Sequence, residues 1–261
     1  MKKNPLVSII MNCHNGELFL EQSLKSVFLQ SYKNWELIFW DNKSKDQSKN
    51  ILGKFKDKRV KYFYSKKFNS LYNSRNLAIK KAKGKYIAFL DTDDFWHKEK
   101  LNHQVNFIIK NNLKVCCTNF LILSQKNNKK IKFIKKNKKK LTTQNLLKRY
   151  EVGILTVIIE KSLLTKNPFN KKYEIIGDFD FFILLSLNYE IGFLNRILAT
   201  YRLHDINLSK KKIDLYIKEL SSWIKSNKEN LENKNLNVNV QKFNLLKLKI
   251  KKILRFLKVL A

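Results

Sequence analysis

Residues 84–96 read GKYIAFLDTDDFW, and how this stretch is read decides the fold. Tyr86 to Leu90 form a short run with the look of a buried strand, and they lead straight into Asp91, Thr92, Asp93 and Asp94. A buried strand ending in three carboxylates within four positions is costly, because like charges raise each other's pKa and desolvation adds to the effect. A divalent cation removes that cost. Mg²⁺ or Mn²⁺ takes oxygen ligands, keeps several waters and bridges one or two carboxylates to phosphates. The cluster therefore points to a diphosphate-bearing ligand. The competing reading is an Asx-rich turn that caps a helix starting near Lys98.

Outward from this stretch the chain alternates. LVSIIM (6–11) has the pattern of a buried strand, and Leu20, Leu24, Val27 and Phe28 recur at helical spacing between Glu17 and Gln30. WELIFWD (35–41) is a strand ending in Asp41, Asp46 and Ser48 are helix-start candidates, and VKYFYS (60–65) is a short strand. Residues 70–84 are helical, with Gly84 as their stop signal. Strand and helix in short alternation predict a mainly parallel sheet with crossover helices. Ligands of such sheets bind beyond the carboxyl ends of the strands, where Asp41 and Asp91 both fall. The second half is less regular. A helix over 99–112 precedes strands at 114–124 and 130–134, a basic loop KKNKKK (135–140), a helix opening on acids at GDFDFFILLSL (177–187) and a strand at 190–204.

The 261 residues include 54 Lys and Arg against 21 Asp and Glu, a net charge of +33. Such a surface attracts polyanions and anionic membranes, although the lysines are spread along the whole chain. Three cysteines, Cys13 and the adjacent Cys116 and Cys117, give neither a disulfide framework nor a metal-binding spacing, and fit a reducing cytoplasm. No apolar run approaches the roughly 18 residues that would span a bilayer, and the start reads as a first strand, not a signal peptide.

Two phosphate chemistries that use Asp-x-Asp after a strand fit poorly. A haloacid-dehalogenase pattern wants Thr or Val where Phe95 stands and an acid where Phe182 stands; a nucleotidyltransferase wants a glycine-rich, Arg-containing loop where NCHNGELF offers only Gly16. Four stretches in order match another pattern: residues 6–48, SRNLAIKKAKGKYIAFLDTDDFWHKEKLNHQ, GDFDFFILLSL and YRLH. Together they resemble the inverting family 2 glycosyltransferases of the GT-A fold, over about residues 6–210. The resemblance implies an α/β fold with a Rossmann-like mixed sheet flanked by helices. Its glycosyltransferase domain would cover 1–210, with a nucleotide-sugar half (1–110) and an acceptor half (111–210), followed by a basic helical extension (211–261).

The resemblance also implies roles. Asp41 would accept a hydrogen bond from the base of a UDP- or dTDP-type sugar donor, and Arg75 would lie near the base and diphosphate. Asp93 would contact ribose and metal, Asp94 the metal, and Asp91 would support the loop. His204 would be a further metal ligand for Mn²⁺ or Mg²⁺, or would touch the diphosphate. Asp178 would be the general base, unless it only caps its helix. There are departures: Asn12 and His14 replace the family's usual Pro and Tyr, and Asn42 and Lys43 a usual Asp and Gly. Gly177 and Leu184 replace a usual Glu and Arg. The tail, residues 240–261, carries Phe243, Leu246, Ile250, Ile253, Leu254, Leu257 and Leu260 on one helical stripe. With its lysines this suits a helix on an anionic membrane, while Leu248, Phe256 and Val259 fall off the stripe; packing on the domain or on a partner chain is the alternative. The expectation is an enzyme peripheral to the inner face of the cytoplasmic membrane, extending a surface glycan or lipid-linked acceptor. No nucleic acid is expected as a partner. The rival readings are a basic nucleic-acid-binding protein and an inactive relative that only binds nucleotide sugars.

Overall fold

The computed structural model describes residues 4–126, 129–133, 140–205, 207 and 212–260. The basic run 135–139, and the side chains of tail residues 255–260, lie outside the described residues. The strands are β1 (Val7–Cys13), β2 (Trp35–Asp41), β3 (Val60–Tyr64), β4 (Tyr86–Phe89), β5 (Phe95–Trp96), β6 (Val115–Ser124), β7 (Lys129–Lys132), β8 (Lys140–Leu141), β9 (Ile158–Glu160) and β10 (Ile191–Leu203). The α-helices are α1 (Glu17–Phe28), α2 (Ser48–Gly53), α3 (Leu71–Ile79), α4 (Lys100–Lys110), α5 (Thr143–Lys148), α6 (Gly177–Ser186), α7 (Ile213–Glu232) and α8 (Asn239–Leu260).

The sheet runs β3-β2-β1-β4-β9-β6-β10-β5, with β7 beside β6 and β8 beside β10. β3, β2, β1 and β4 are mutually parallel. The short β9 runs antiparallel between β4 and β6, and β6 pairs in parallel with β10. The sheet is thus mixed, with its parallel half on the nucleotide-sugar side of the expected fold. Register places Cys13 level with Asp41, so β1 and β2 end together, and Ile10 level with Phe89, so β4 stops short of them and the chain after it reaches the same edge as the acidic loop.

Parallel strands read as continuous apolar runs because both faces are covered. β2 is buried at all seven positions. Alternate residues feed two cores: Ile9, Met11, Leu37 and Phe39 meet Leu20, Leu24 and Val27 of α1 and Leu101, Val105 and Ile108 of α4. Ile10, Ile38, Ile87 and Phe89 face Tyr72 of α3, Phe182 of α6 and Trp223 of α7.

One local expectation is corrected. α3 ends at Ile79, and no glycine among the described residues has a positive φ, so Gly84 is no helix stop. It is there because the chain passes tightly over β1: a Cβ would lie 2.6 Å from the Ser8 backbone nitrogen. Leu248 lies on the packed side of α8, turned to the core together with Leu245 and Gln241. The other side exposes Phe243, Leu246, Ile250, Ile253 and Leu254, each about half accessible. No helix among the described residues is long and apolar enough to cross a membrane.

Candidate active site

The carboxyl ends of β1, β2 and β4 open a cleft of about 400 Å³. Asp91, Asp93 and Glu174 line it together with Asn12, His14 and His204, and no Lys or Arg does so among the described residues. On a chain of net charge +33, this is a local reversal of sign.

The acidic loop is held from below by α1. The Ser23 hydroxyl donates to the carbonyls of Asp91 and Thr92, at 3.3 and 2.9 Å, and of Asp94. Gly16 lets the first helix approach, since a Cβ there would lie 2.9 Å from Thr92 Oγ1. Asp91 takes both its bonds from one nitrogen of the buried Arg75, at 2.6 and 2.8 Å. Asp94 is buried and accepts the Arg202 backbone N–H at 2.8 Å; burial, then the charges of Asp93 and Asp91, push its pKa well up. Asp93 faces the cleft, with Oδ2 2.9 Å from His204 Nε2. Arg202 ties the arrangement together: its Nε donates to the Asp93 carbonyl at 2.8 Å, and a second nitrogen donates to Gln22. The His204 ring stacks on Phe19. None of these acids caps α4, which begins at Lys100 after Glu99, so the capping alternative fails.

The expected site residues are thus only partly gathered. Asp93 and His204 meet in the cleft, and Asp91 lines it with Arg75 buried behind. Asp94 lies beneath the loop. Asp41 is buried at the end of β2, outside the cleft lining, where it accepts the Ser44 N–H at 2.8 Å and the Tyr62 hydroxyl at 2.9 Å. Among the described residues, no three His, Cys, Asp or Glu side chains converge as a metal cage. The donors present still fit one divalent cation. Asp93 supplies a carboxylate in the cleft, and His204 a ring whose Nδ1 is buried without a protein partner. The Asp93 carboxylate and water oxygens suit Mn²⁺ or Mg²⁺, and such ions leave several positions to water and phosphate.

Asp178 opens onto a second cavity, of about 280 Å³, that shares Ile175 with the cleft as a common wall. Its Oδ1 accepts the Tyr72 hydroxyl at 3.0 Å and the Phe179 N–H at 2.9 Å. Burial pushes its pKa up, while Arg75 pulls the other way. The N-cap of α6 is Ile176, with no side-chain cap bond, and Asp178 stands in the first turn of the helix. Glu219 of α7 holds the loop that enters α6, accepting the N–H groups of Glu174, Ile175 and Ile176 at 2.7, 2.9 and 3.1 Å. Asp180, the nearest alternative acid, accepts the Trp223 indole N–H at 2.9 Å, and burial pushes its pKa up to about 6. The glycine before Asp178 also has a cause. A Cβ at Gly177 would lie 2.5 Å from the Tyr72 ring, which occupies the space a side chain would need.

Sequence reasoning missed Tyr72, Arg202 and Glu219. Arg202 stood in plain view inside YRLH. Tyr72 and Glu219 carry no sequence signal beyond their helical positions, because their partners lie about a hundred and about forty residues away.

Residues 8–166 match the family model for glycosyl transferase family 2. The chain is 36% identical over 213 residues to the UDP-Glc:alpha-D-GlcNAc-diphosphoundecaprenol beta-1,3-glucosyltransferase WfgD of Escherichia coli, covering 79% of this chain and 81% of that one. Its fold is similar to that of S. aureus TarS 1–349 in complex with UDP-GlcNAc, with TM-score 0.68 and 19% identity over 84% of this chain and 66% of that one, so this chain spans about two thirds of that fragment. It is similar too to the mannosyltransferase PcManGT from Pyrobaculum calidifontis in complex with GDP-Man and Mn²⁺, with TM-score 0.64 and 12% identity, over 86% of this chain and 65% of that one. The mixed sheet, the acidic loop at its carboxyl edge and these likenesses agree: the chain belongs to glycosyl transferase family 2 and has the GT-A fold.

Proposed function

We propose that this enzyme is an inverting transferase that moves a sugar from a UDP- or dTDP-type donor to a lipid-linked glycan acceptor at the inner face of the cytoplasmic membrane. The observation that carries this reading is the acidic cleft in a basic protein. A nucleic-acid groove would be lined by Lys and Arg, whereas carboxylates facing a diphosphate require a cation between them. The relatives support the donor and acceptor classes: WfgD is named for UDP-Glc and a diphosphoundecaprenol acceptor, and TarS was solved with UDP-GlcNAc.

Asp93 and His204 would hold the Mn²⁺ or Mg²⁺, with Asp94 behind them and Asp91 anchored by Arg75. The cation, when bound, offsets charge developing on the leaving diphosphate. Asp41, whose carboxylate is already oriented by Ser44 and Tyr62, would receive the base. In the transfer, the acceptor hydroxyl oxygen forms a bond to the anomeric carbon as the bond from that carbon to the diphosphate oxygen breaks. The bonding electrons leave with the nucleoside diphosphate, and the hydroxyl proton passes to Asp178. Attack from the face opposite the leaving group inverts the anomeric centre. Residues 1–210 would carry this chemistry, and 211–261 would support it and meet the membrane.

Calorimetry with UDP tests the reading. Binding should require Mn²⁺ or Mg²⁺ and weaken strongly in Asp93→Asn. Equal binding in a chelator removes the metal bridge. Tight binding of oligonucleotides that is indifferent to Asp93 and falls steeply with salt would favour the nucleic-acid reading.

A further inference from the structure

The second cavity has features that the donor chemistry leaves unused. α8 forms one wall through Val240, Gln241 and Asn244, and Tyr150 and Asp178 face it from the fold. Gln241 is only 4% exposed, yet its Oε1 has no hydrogen-bond partner; its Nε2 is committed to the Leu147 carbonyl at 2.7 Å. The Tyr150 hydroxyl is also buried without a partner. Two unpartnered polar groups beside a carboxylate are costly unless something satisfies them. An acceptor-only oxygen, a hydroxyl and a carboxylate together match the alternating donors and acceptors of a sugar ring. The volume, just under the range of about 300–1,000 Å³ usual for ligand sites, suits one sugar better than a chain of them. Lys148 and Arg149 also line the cavity and bring positive charge to it.

Resting on the transferase reading above, we propose that this cavity is the acceptor site: it seats the single sugar of a sugar-diphosphate acceptor, held by the Tyr150 hydroxyl and by Gln241 of the C-terminal helix. The reacting hydroxyl then lies on the Asp178 side, toward the wall shared with the donor cleft. Lys148 and Arg149 suit the diphosphate. α8 is therefore part of the acceptor site, and the acceptor enters along the helix whose other face exposes the apolar stripe.

The test uses the full chain and a panel of GlcNAc, glucose and galactose, each α-linked to a diphosphate on a short alkyl chain, with free GlcNAc as a control for the diphosphate's share. Binding is measured by calorimetry in the presence of UDP and Mn²⁺, and transfer with UDP-glucose and UDP-GlcNAc. Tyr150→Phe removes one oxygen and keeps the ring contact with Phe179. Tyr150→Phe and Gln241→Met should each weaken binding of the accepted panel member about 3- to 10-fold, the range for one hydrogen bond to a neutral group, with UDP affinity unchanged. A purely structural Tyr150 predicts the opposite pattern: loss of an unpartnered buried hydroxyl raises thermal stability and leaves acceptor binding untouched. Unchanged acceptor binding in both variants, or no panel member bound by the wild type, overturns the proposal while leaving the donor reading intact. Loss of UDP binding by the wild type itself would instead remove the reading on which it rests.

Discussion

As the proposed base, Asp178 sits where its carboxyl is hard to ionise but not neutral. Burial raises its pKa, Arg75 opposes, and Tyr72 donates to it. The carboxylate is the form that accepts a proton, so activity is lost as pH falls through its pKa. The acid limb of kcat should therefore lie above the roughly 3.9 of an unperturbed Asp. Asp178→Asn should lower kcat by roughly 10²–10⁴-fold and abolish that limb, with UDP affinity unchanged. The Asn side chain keeps an oxygen that can accept the Phe179 N–H and the Tyr72 hydroxyl, so little stability should be lost. Near-normal turnover in a folded Asp178→Asn enzyme would sink the assignment. Residue-level departures from the family pattern are explained only by the structure. Lys43 stands at φ 65° where a glycine would be relaxed. Asn42 exchanges bonds with Asn69, donating to its carbonyl at 2.8 Å and accepting its N–H at 3.0 Å, which pins the loop that borders the cleft.

At the scale of elements, apolar periodicity reports which face of a helix is buried, and that much was legible: β1 to β4, α1, α4 and the acid-opening α6 stand close to where spacing placed them. Periodicity does not report which buried polar groups meet. Glu219 at the start of α6 and Tyr72 beside Asp178 could not be read from it. Lys100 is another such case. It opens α4, yet its ammonium is buried with no hydrogen-bond partner, 4.0 Å from the centre of the Trp96 ring. Burial pulls its pKa down to about 7. The unfolded chain holds that proton up to about pH 10.4, so between about 7 and 10 the native state binds fewer protons and this position costs less as pH rises. Lys100→Met should be more stable than the wild type at pH 7 by roughly 1–4 kcal/mol, with the advantage shrinking toward pH 10. Denaturant melts of both proteins across that range would show it. An advantage that grows with pH would show that the lysine is not the cause.

For the whole molecule, charge and shape divide the labour. The surface is basic, the cleft is acidic, and the apolar stripe of α8 is open. Lys242, Lys247, Lys249 and Lys251 are exposed along the same helix, a pattern that suits the surface of an anionic bilayer. Removing the tail is a poor test, because Gln241, Leu245 and Leu248 pack inward. The triple variant Phe243→Ser, Ile250→Ser, Leu254→Ser keeps that packed side. It should lose most binding to vesicles containing anionic lipid and keep UDP affinity, as sedimentation would show. A wild type that is dimeric and a variant that is monomeric with equal vesicle binding would assign the stripe to a second copy of the chain instead.

Gly177 and Tyr72 cannot change independently. The ring fills the volume that a side chain at position 177 would take, and its hydroxyl is what Asp178 holds. Descent along this lineage is thereby constrained to paired steps. A branch that places a glutamate before Asp178 must first shed the bulky aromatic at 72, and the intermediate with neither has an empty space beside Asp178. Among relatives, the two columns should therefore trade one for the other.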